Sequence, residues 1–247
     1  MTAQQSAPAD RPRGISVFFP CFNEEDNVRR VVGEAIDFLP TVSDDYEILI
    51  VNDGSVDRTG EIADRLAAEH PPVRAIHHEA NRGYGGALQS GFRAASKELV
   101  FYTDGDGQFD ITDLARLLPL IGRYDIVSGY RERRRDHFIR RLNAWCWGRL
   151  VQRTLGFHCR DVDSAFKLYR REIFDHIEMK STGALIDAEI LARACRAGYT
   201  MAEVPVRHLP RIAGQQTGAN LKVIARAFKE LLKLRKEILA TPRVQRG

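Results

Sequence analysis

The chain has 247 residues, a length that suits one large α/β domain with a buried core. Its composition, 44% hydrophobic and 28% charged, is ordinary for a globular protein and excludes disorder across the whole chain. The net charge of +4 favours an anionic partner without choosing among phosphate, nucleic acid and lipid. The four cysteines are scattered, which argues against a disulfide framework or a zinc site and fits a reducing cytoplasm.

Residues 1–13 carry Gln, Ala, Pro and Asp without apolar periodicity and are predicted to form a loose tail. They lack the apolar core of a secretory signal. No run of eighteen apolar residues occurs, so no membrane span is predicted.

Short apolar runs alternate with helical patterns through the first half of the chain. Strands are predicted at 15–19, 47–51, 73–77 and 99–103. Four such alternations with short connections predict a mostly parallel sheet with helices on both faces. Ligands of open sheets bind beyond the carboxyl ends of the strands. The polar residues that follow these strands are Asn23, Glu24, Asp53, Asn81, Asp104 and Asp106.

The second half of the chain is less regular. Strands are predicted at 126–128, 165–169 and 201–206, the second of them at an edge of the sheet, and helices at 142–155, 184–197 and 220–239.

The acidic segment 104–108, with the sequence Asp-Gly-Asp-Gly-Gln, is the strongest candidate site. Two carboxylates around one small residue at a strand end can converge on a divalent cation, and Mg²⁺ and Mn²⁺ favour such oxygen ligands. An EF-hand is excluded, because its glycine would fall at Phe109 and its final glutamate at Ala115. The alternative is an acidic surface turn.

Two further turns favour a nucleotide ligand. The glycine-rich segment 81–86 follows a strand and opens a helix, where backbone N–H groups could approach a phosphate. It does not fit the dinucleotide-binding fingerprint, since the third glycine would fall at Leu88. Asp53 could accept hydrogen bonds from a nucleobase or ribose, or could cap its own turn.

Two basic segments favour anionic partners. Arginines between 131 and 141 could bind phosphate or form a solvated loop, and no nucleic-acid-binding module is present. The last helix places Ile224, Phe228, Leu231 and Ile238 near one stripe and crowds its other faces with Lys and Arg. This stripe could pack on the domain, lie on an anionic membrane surface, or do both. The seven histidines show no metal-binding spacing and are interpreted as structural.

These motifs, in this order, resemble the family 2 glycosyltransferases of the GT-A fold, and among them the polyprenyl- or dolichyl-phosphate sugar synthases. The resemblance covers residues 14–235 and rests on five segments, each placed at a strand end or in a loop. They are Pro20-Cys21-Phe22-Asn23-Glu24-Glu25, Asn52-Asp53-Gly54-Ser55, Asn81-Arg82-Gly83, Asp104-Gly105-Asp106-Gly107-Gln108, and Arg211 with Gly214.

The resemblance implies a role for each motif residue. The donor nucleotide would be bound by Pro20, Phe22, Asn23, Glu24, Asp53, Gly54, Asn81, Gly83 and Asp104. Mg²⁺ or Mn²⁺ and the donor diphosphate would be held by Asp104, Asp106 and Gln108. The acceptor phosphate would face Arg131 and one of Arg140 and Arg141. The catalytic residues would be Asp106, Arg211 on a loop that closes over the diphosphate, and Asp187 and Glu189 on the acceptor side.

The expected reaction is an inverting transfer of a sugar from a UDP- or GDP-sugar to a polyprenyl phosphate. A hydroxyl acceptor stays open, because the loop after Arg211 lacks the Ser-Lys pair frequent in lipid-phosphate synthases; Asp187 or Glu189 would then be the base. The family also often has Asp where this chain has Asn52. The alternatives are a nucleotidyltransferase, which would usually have a Gly- and Lys-rich loop after its first strand, and a non-enzymatic membrane- or polyanion-binding module.

The predicted organisation has three parts: a tail at 1–13, a catalytic domain at 14–212, and an active-site loop with a basic amphipathic helix at 213–247. The expected location is the cytoplasm, with the inner face of the cell membrane as a further option. The sequence does not fix the sugar, the donor base or the oligomeric state.

Overall fold

A computed structural model describes residues 14–132, 138–210 and 221–240, and the side chains of 138–145 and 221–227 lie outside this description. The strands are β1 (Ile15–Cys21), β2 (Tyr46–Asn52), β3 (Val73–His77), β4 (Leu99–Thr103), β5 (Ile126–Arg131), β6 (Phe166–Arg170) and β7 (Met201–Val206). The helices are α1 (Val28–Phe38), α2 (Thr59–Glu69), α3 (Tyr84–Ala94), α4 (Leu114–Leu117), α5 (Phe138–Leu155), α6 (Ile173–His176), α7 (Ile186–Arg196) and α8 (Leu221–Ala240).

The strands form one seven-stranded sheet in the order β3-β2-β1-β4-β6-β5-β7. β1 pairs in parallel with both β2 and β4, β2 pairs in parallel with β3, and β5 pairs in parallel with β7. The predicted, mostly parallel sheet is therefore confirmed, and β3 and β4 have the bounds that the sequence predicts. The carboxyl ends of β1 to β4 consequently lie along one edge of the sheet.

The prediction of an edge strand at 165–169 is wrong. β6 lies inside the sheet and pairs antiparallel with β4 on one side and β5 on the other. A lysine in such a run is typical of a solvent-facing strand, yet Lys167 is fully buried and ion-paired with Asp187. Sequence patterning could not reveal this partner, which lies twenty residues further along the chain.

A cluster of aromatic rings joins α3 to the centre of the sheet. Phe18 of β1 meets Phe92 of α3 edge-on, with ring centroids 4.9 Å apart, and stacks on Tyr102 of β4 at 5.5 Å. Gly91 lets the helix come this close, because a Cβ atom there would lie 2.3 Å from the Phe18 ring. This contact fixes α3 over the sheet, with its first residues near the edge where the parallel strands end.

The last helix packs on the domain through part of the predicted stripe, since Leu231 and Ile238 are buried as predicted. Leu231, Leu234 and Ile238 are buried, and Glu237 forms an ion pair with Arg193 of α7. Phe228, predicted on the buried stripe, is 43% exposed, although its ring meets that of Trp147 in α5 edge-on with centroids 5.2 Å apart.

Several predictions fall outside the described residues. They concern the tail at 1–13, the loop that starts at 213, and the side chain of Ile224. The domain boundaries stay predictions. Among the described helices, none is both long and apolar enough to cross a membrane.

Gly91→Ala is expected to destabilise the protein. Replacing a helical Gly by Ala normally stabilises by about 1 kcal/mol, but overpacking a close-packed contact costs about 1–3 kcal/mol, so the clash with Phe18 should prevail. Gly33→Ala in α1 is the control, since a Cβ there meets nothing within 4 Å and should stabilise. The free energy of unfolding in urea measures both changes, and equal stabilisation by the two variants would contradict this account of Gly91.

Candidate functional site

The candidate site lies along the edge where β2, β1 and β4 end side by side. Each of these strands is followed by a polar turn that sequence analysis singled out: 53–55, 22–25 and 104–108. Neighbouring strands lie about 4.8 Å apart, so the ends of β2 and β4 are separated by about 10 Å. That separation matches the reach from a nucleoside to its phosphates.

The turns after β1 and β2 are bound to each other by side-chain hydrogen bonds. The Asn23 amide donates to Ser55 Oγ at 3.0 Å, and Asn23 Oδ1 accepts from the Val56 amide at 3.0 Å. The Glu24 amide donates to Thr59 Oγ1 at 2.8 Å. Asn23 has a positive φ of 56°, a backbone conformation that asparagine tolerates better than most residues. These bonds fix the backbone of the two turns relative to each other.

Hydrophobic surface is available beside these turns. Pro20 is buried within β1, whereas the Phe22 side chain is 46% exposed at the same edge. An exposed aromatic ring next to a polar turn is suited to stack against a planar group such as a nucleobase.

Asp53 is the most constrained polar residue on the β2 side of the site. Its side chain is 4% exposed, and Oδ1 accepts from His78 Nδ1 at 2.6 Å and from the Arg82 amide at 2.9 Å. Within the described part of the chain, both hydrogen bonds of this carboxylate fall on Oδ1, which leaves Oδ2 for a ligand. Gly54 follows with a φ of 69°, and a Cβ there would lie 2.6 Å from the backbone of residues 80 and 81.

The glycine-rich turn before α3 packs against another part of the same chain. The Gly85 amide donates to the Thr182 carbonyl at 2.9 Å, and the Gly83 amide donates to Asn81 Oδ1 at 3.0 Å. Gly83 has a φ of 81°, and a Cβ there would lie 2.7 Å from the Thr182 carbonyl oxygen. These glycines thus allow residues 181 and 182 to approach the turn closely. The amides of Gly83 and Gly85, which could have approached a phosphate, already have acceptors within the chain.

The acidic turn after β4 contains a buried carboxylate, that of Asp104, which forms a hydrogen bond with the Tyr84 side chain but has one unsatisfied oxygen. Asp104 Oδ1 is buried and has no hydrogen-bond partner among the described residues. Burial, and then the neighbouring charges of Asp106 and Asp187, raise the pKa of Asp104 to about 7. Asp106 Oδ1 accepts from the Gln108 amide at 3.0 Å, which fixes the turn.

This donor set fits a divalent cation. An ion bound between Asp104 and Asp106 would give the unpartnered oxygen a ligand and offset the repulsion between the two carboxylates. Among the described residues, no group of three or more His, Cys, Asp or Glu is placed to hold a metal ion by itself. Mg²⁺ is commonly held by one or two carboxylates together with substrate phosphates and water, so two protein carboxylates suffice.

The segment after β7 is clamped onto the acidic turn. The Leu209 amide donates to the Gln108 carbonyl at 2.7 Å, and His208 pairs with Phe109 in an antiparallel bridge. The Arg207 guanidinium holds this segment in place by donating to Asp113 Oδ1 at 2.8 Å. The chain is thereby brought to the acidic turn just before Arg211, which itself lies outside the described residues. Sequence analysis missed His208, since only the tertiary bridge brings it here.

Asp187 lies in a buried network behind the acidic turn. Its Oδ1 accepts from Lys167 Nζ at 2.8 Å and also from the Tyr102 hydroxyl. Lys167 Nζ further donates to the carbonyls of Val162, at 3.0 Å, and Ser164. This ammonium group therefore connects β4, β6, α7 and the loop that precedes β6.

Glu189, the second predicted acceptor-side carboxylate, is fully buried in a separate set of contacts. It accepts from the amides of Lys180 and Ser181 and from Arg193 Nε at 2.8 Å. Because residues 181 and 182 pack on the glycine-rich turn, Glu189 shapes the segment that covers the start of α3.

The predicted acceptor arginines are only partly described. Arg131 forms a two-point ion pair with Asp161, with both N–O distances at 2.7 Å. Arg140 and Arg141 lie in α5, but their side chains are outside the description. The turns that carry the predicted donor residues thus lie along one edge of the sheet. Arg131, predicted to face the acceptor phosphate, is instead paired with the Asp161 carboxylate.

Comparisons with solved structures identify the fold. Glucosyl-3-phosphoglycerate synthase from Mycobacterium tuberculosis, solved with Mn²⁺, UDP and phosphoglyceric acid, aligns over 93% of this chain and 80% of that chain, with a TM-score of 0.69 at 20% identity. The mannosyltransferase PcManGT from Pyrobaculum calidifontis, solved with GDP-Man and Mn²⁺, aligns over 94% and 75%, with a TM-score of 0.63 at 21% identity. The chain has the GT-A fold of these glycosyltransferases.

The family follows from the sequence match. The family model described as glycosyl transferase family 2 matches residues 16–178. The chain therefore belongs to glycosyl transferase family 2.

Two curated relatives extend this comparison. Glycosyltransferase AglD of Haloferax volcanii is 35% identical over 209 residues, which are 80% of this chain and 33% of AglD. The undecaprenyl-phosphate 4-deoxy-4-formamido-L-arabinose transferase of Edwardsiella ictaluri is 32% identical over 216 residues, or 85% of this chain and 64% of that protein. The chain thus spans less than two thirds of either relative.

Lys167→Met is expected to lower the free energy of unfolding by about 3–5 kcal/mol, because it leaves the Asp187 carboxylate buried without its cation. Lys167→Met combined with Asp187→Asn should recover part of this loss. Lys97→Met is the control, since the ion pair of Lys97 with Asp45 is partly exposed and should contribute at most about 1 kcal/mol. Chemical denaturation measures the free energy of unfolding of all three variants. Equal losses for Lys167→Met and Lys97→Met would show that the buried ion pair of Lys167 with Asp187 has no special importance for stability.

Proposed function

We propose that this glycosyltransferase transfers a sugar from a UDP- or GDP-sugar to a polyprenyl phosphate, by a metal-assisted displacement that inverts the anomeric carbon. The observation that carries the proposal is the buried, unpartnered Asp104 oxygen beside Asp106, on a strand end about 10 Å from that of Asp53. A nucleoside bound near Asp53 could therefore place its diphosphate at a cation held by Asp104 and Asp106.

The donor would lie across the ends of β2, β1 and β4. Asp53 Oδ2 and the exposed ring of Phe22 would contact the nucleoside, close to Pro20 and Glu24. The diphosphate would reach the turn that contains Asp104 and Asp106. The hydrogen bonds between the turns after β1 and β2 support this assignment, because they hold the nucleoside contacts in place before the donor binds.

Asp104, Asp106 and Gln108 would hold Mg²⁺ or Mn²⁺ in this arrangement. When bound, the ion would neutralise charge on the leaving nucleoside diphosphate. Two similar structures contain Mn²⁺ together with UDP or GDP-Man, which supports this choice of ion and donor class. Arg211, two residues beyond the clamped Leu209, would add positive charge at the same leaving group.

The contacts of Asp187 and Glu189 favour a phosphate acceptor over a hydroxyl acceptor. A hydroxyl acceptor needs a general base, whereas a phosphate acceptor is already anionic. Asp187 Oδ1 is bound to Lys167 and Tyr102, and Glu189 accepts from two backbone amides and from Arg193. Carboxylates engaged in this way are better placed to position neighbours than to take up a proton. The name of the Edwardsiella relative also contains an undecaprenyl phosphate.

Asp104→Asn and Asp106→Asn should each reduce nucleoside diphosphate release by roughly 100- to 1,000-fold, because each weakens the cation site. Asp110→Asn is the matched control. It removes one negative charge two residues after the acidic turn and keeps an oxygen that can accept from the Thr112 amide. It weakens the ion pair of Asp110 with Arg207, but Arg207 keeps its bond to Asp113. The assay measures UDP or GDP released from a panel of sugar donors with Mn²⁺ or Mg²⁺, with and without undecaprenyl phosphate.

The assay distinguishes the proposal from its alternatives. Release that rises with undecaprenyl phosphate supports the full proposal, and release that responds only to hydroxyl acceptors overturns the acceptor class. Pyrophosphate release would indicate a nucleotidyltransferase. Activity of Asp104→Asn and Asp106→Asn equal to that of Asp110→Asn would refute the cation site.

A peripheral membrane contact is also proposed, on the exposed side of α8. Phe228, Leu232 and Leu239 are spaced by four and seven residues and therefore share one side of the helix, and all three are exposed. This side is distinct from the buried stripe of Leu231, Leu234 and Ile238. The exposed side chains of Lys229, Lys233, Arg235 and Lys236 flank it. Apolar residues flanked by cations match the surface of an anionic bilayer, on which a polyprenyl phosphate would also be found.

Leu232→Glu should weaken binding to vesicles containing phosphatidylglycerol by roughly tenfold, since it removes one apolar side chain from the lipid contact and adds a repulsive charge. Ala68→Glu, on an exposed position of α2, adds the same charge elsewhere. Cosedimentation with vesicles measures binding, with vesicles of neutral phosphatidylcholine as the reference. Equal binding of the two variants would exclude this surface.

A further inference from the structure

Asp53, His78 and Ser90 form a hydrogen-bonded chain of three side chains beside the candidate donor site. His78 Nδ1 lies 2.6 Å from Asp53 Oδ1, and His78 Nε2 lies 2.8 Å from Ser90 Oγ. The side chains of His78 and Asp53 are 3% and 4% exposed, respectively. A carboxylate only accepts, so Nδ1 carries a proton, and in the neutral ring Nε2 accepts from the Ser90 hydroxyl.

This arrangement resembles the triad of a serine hydrolase, but its surroundings do not suit that chemistry. Ser90 is the seventh residue of α3, where backbone amides are hydrogen-bonded within the helix. An oxyanion hole needs free donors beside the nucleophile, and a helix interior does not supply them. Ser90 is therefore not a nucleophile, and the residue that these contacts position is Asp53.

We propose that His78 is a positioning residue, which sets the affinity of the enzyme for its donor nucleotide by orienting Asp53, and that Ser90 fixes the imidazole ring. This inference rests on the proposed function, in which Asp53 contacts the nucleoside.

The position of the hydrogen bonds on Asp53 supports this role. His78 Nδ1 and the Arg82 amide both bind Oδ1, so the carboxylate is held through this oxygen, and in the proposed function Oδ2 contacts the nucleoside. The imidazole is itself held at both nitrogens, by Asp53 and by Ser90, and the His78 backbone is fixed because its amide donates to the Asn52 carbonyl at 2.9 Å. Burial keeps water from replacing these bonds, so the loss of one partner acts directly on Asp53.

The adjacent histidine has a different environment. His77 Nε2 lies 2.9 Å from Asp64, a surface residue, and its Nδ1 lies 3.0 Å from the side-chain amide nitrogen of Asn52. His77 therefore contacts the residue before Asp53, and the two histidines secure successive residues of the same turn.

The test measures Kd for UDP and GDP in the presence of Mn²⁺ by titration calorimetry, with the full chain. A hydrogen bond to a charged group contributes about 1.5–3 kcal/mol, so His78→Leu should raise Kd roughly 10- to 100-fold. His78→Asn keeps an N–H near the position of Nδ1 and should stay within about threefold of wild type. The amide of His78→Gln is nearer the position of Nε2, and this variant should resemble His78→Leu. Steady-state kinetics should show the same order in KM, with a smaller change in kcat.

A double-mutant cycle separates positioning from a general structural effect. Asp53→Asn alone should raise Kd, and adding His78→Leu should raise it little further, because His78 acts through Asp53. His176→Leu is the control. Its Nδ1 forms a hydrogen bond of 2.6 Å to Tyr199, and it lies on α6 after the antiparallel β6, at the opposite edge of the sheet. This control should leave Kd unchanged.

The outcomes of this test are distinguishable. If wild type binds neither nucleotide, the proposed function fails and this inference fails with it. If Asp53→Asn weakens binding while His78→Leu does not, the inference alone is overturned. Additive losses in the double variant would also overturn it, since His78 would then act independently of Asp53. If His78→Leu does not fold, as judged by thermal unfolding, the comparison of His78→Asn with His78→Gln decides, and equal Kd values for these two overturn the inference.

Discussion

The buried ammonium group of Lys167 binds the Asp187 carboxylate at 2.8 Å behind the acidic turn, together with the carbonyls of Val162 and Ser164. Asp104, Asp106 and Asp187 lie close together at this end of β4, and burial, followed by the charges of Asp106 and Asp187, raises the pKa of Asp104. A buried carboxylate without a cation is strongly unfavourable, so the fold supplies a permanent cation to Asp187. Asp104 retains a buried oxygen without a hydrogen-bond partner among the described residues.

The remainder of the site is organised by hydrogen bonds between turns that are distant in sequence. Asn23 links the turn after β1 to Ser55 and Val56 in the turn after β2. Asp53 in turn binds the backbone at Arg82, and the glycine-rich turn binds Thr182. These bonds between turns add to those within them, such as the bond from the Gln108 amide to Asp106, so neighbouring turns help to order this edge of the sheet. A site formed in this way can bind a flexible nucleotide with little further ordering of the protein.

The local patterns of the sequence were sufficient for much of the fold and for the position of the candidate site. β3 and β4 have the predicted bounds, and the polar residues after the parallel strands lie at one edge of the sheet. These features are readable because apolar runs and the turns that end them are encoded by neighbouring residues. The site roles assigned to Asp53, Asp104 and Asp106 stay predictions, and the structure shows that these residues follow β2 and β4 at one edge of the sheet.

The sequence by itself thus determined the family, the parallel core of the sheet and the edge at which a ligand would bind. The tertiary structure decided that β6 is an interior antiparallel strand, because the charge of Lys167 is compensated by Asp187 in α7. It also decided that Leu234, and not Phe228, joins the predicted Leu231 and Ile238 on the buried side of α8. These outcomes depend on partners far away in the sequence, and periodicity along a single segment contains no information about which distant group will compensate a charge or cover an apolar face.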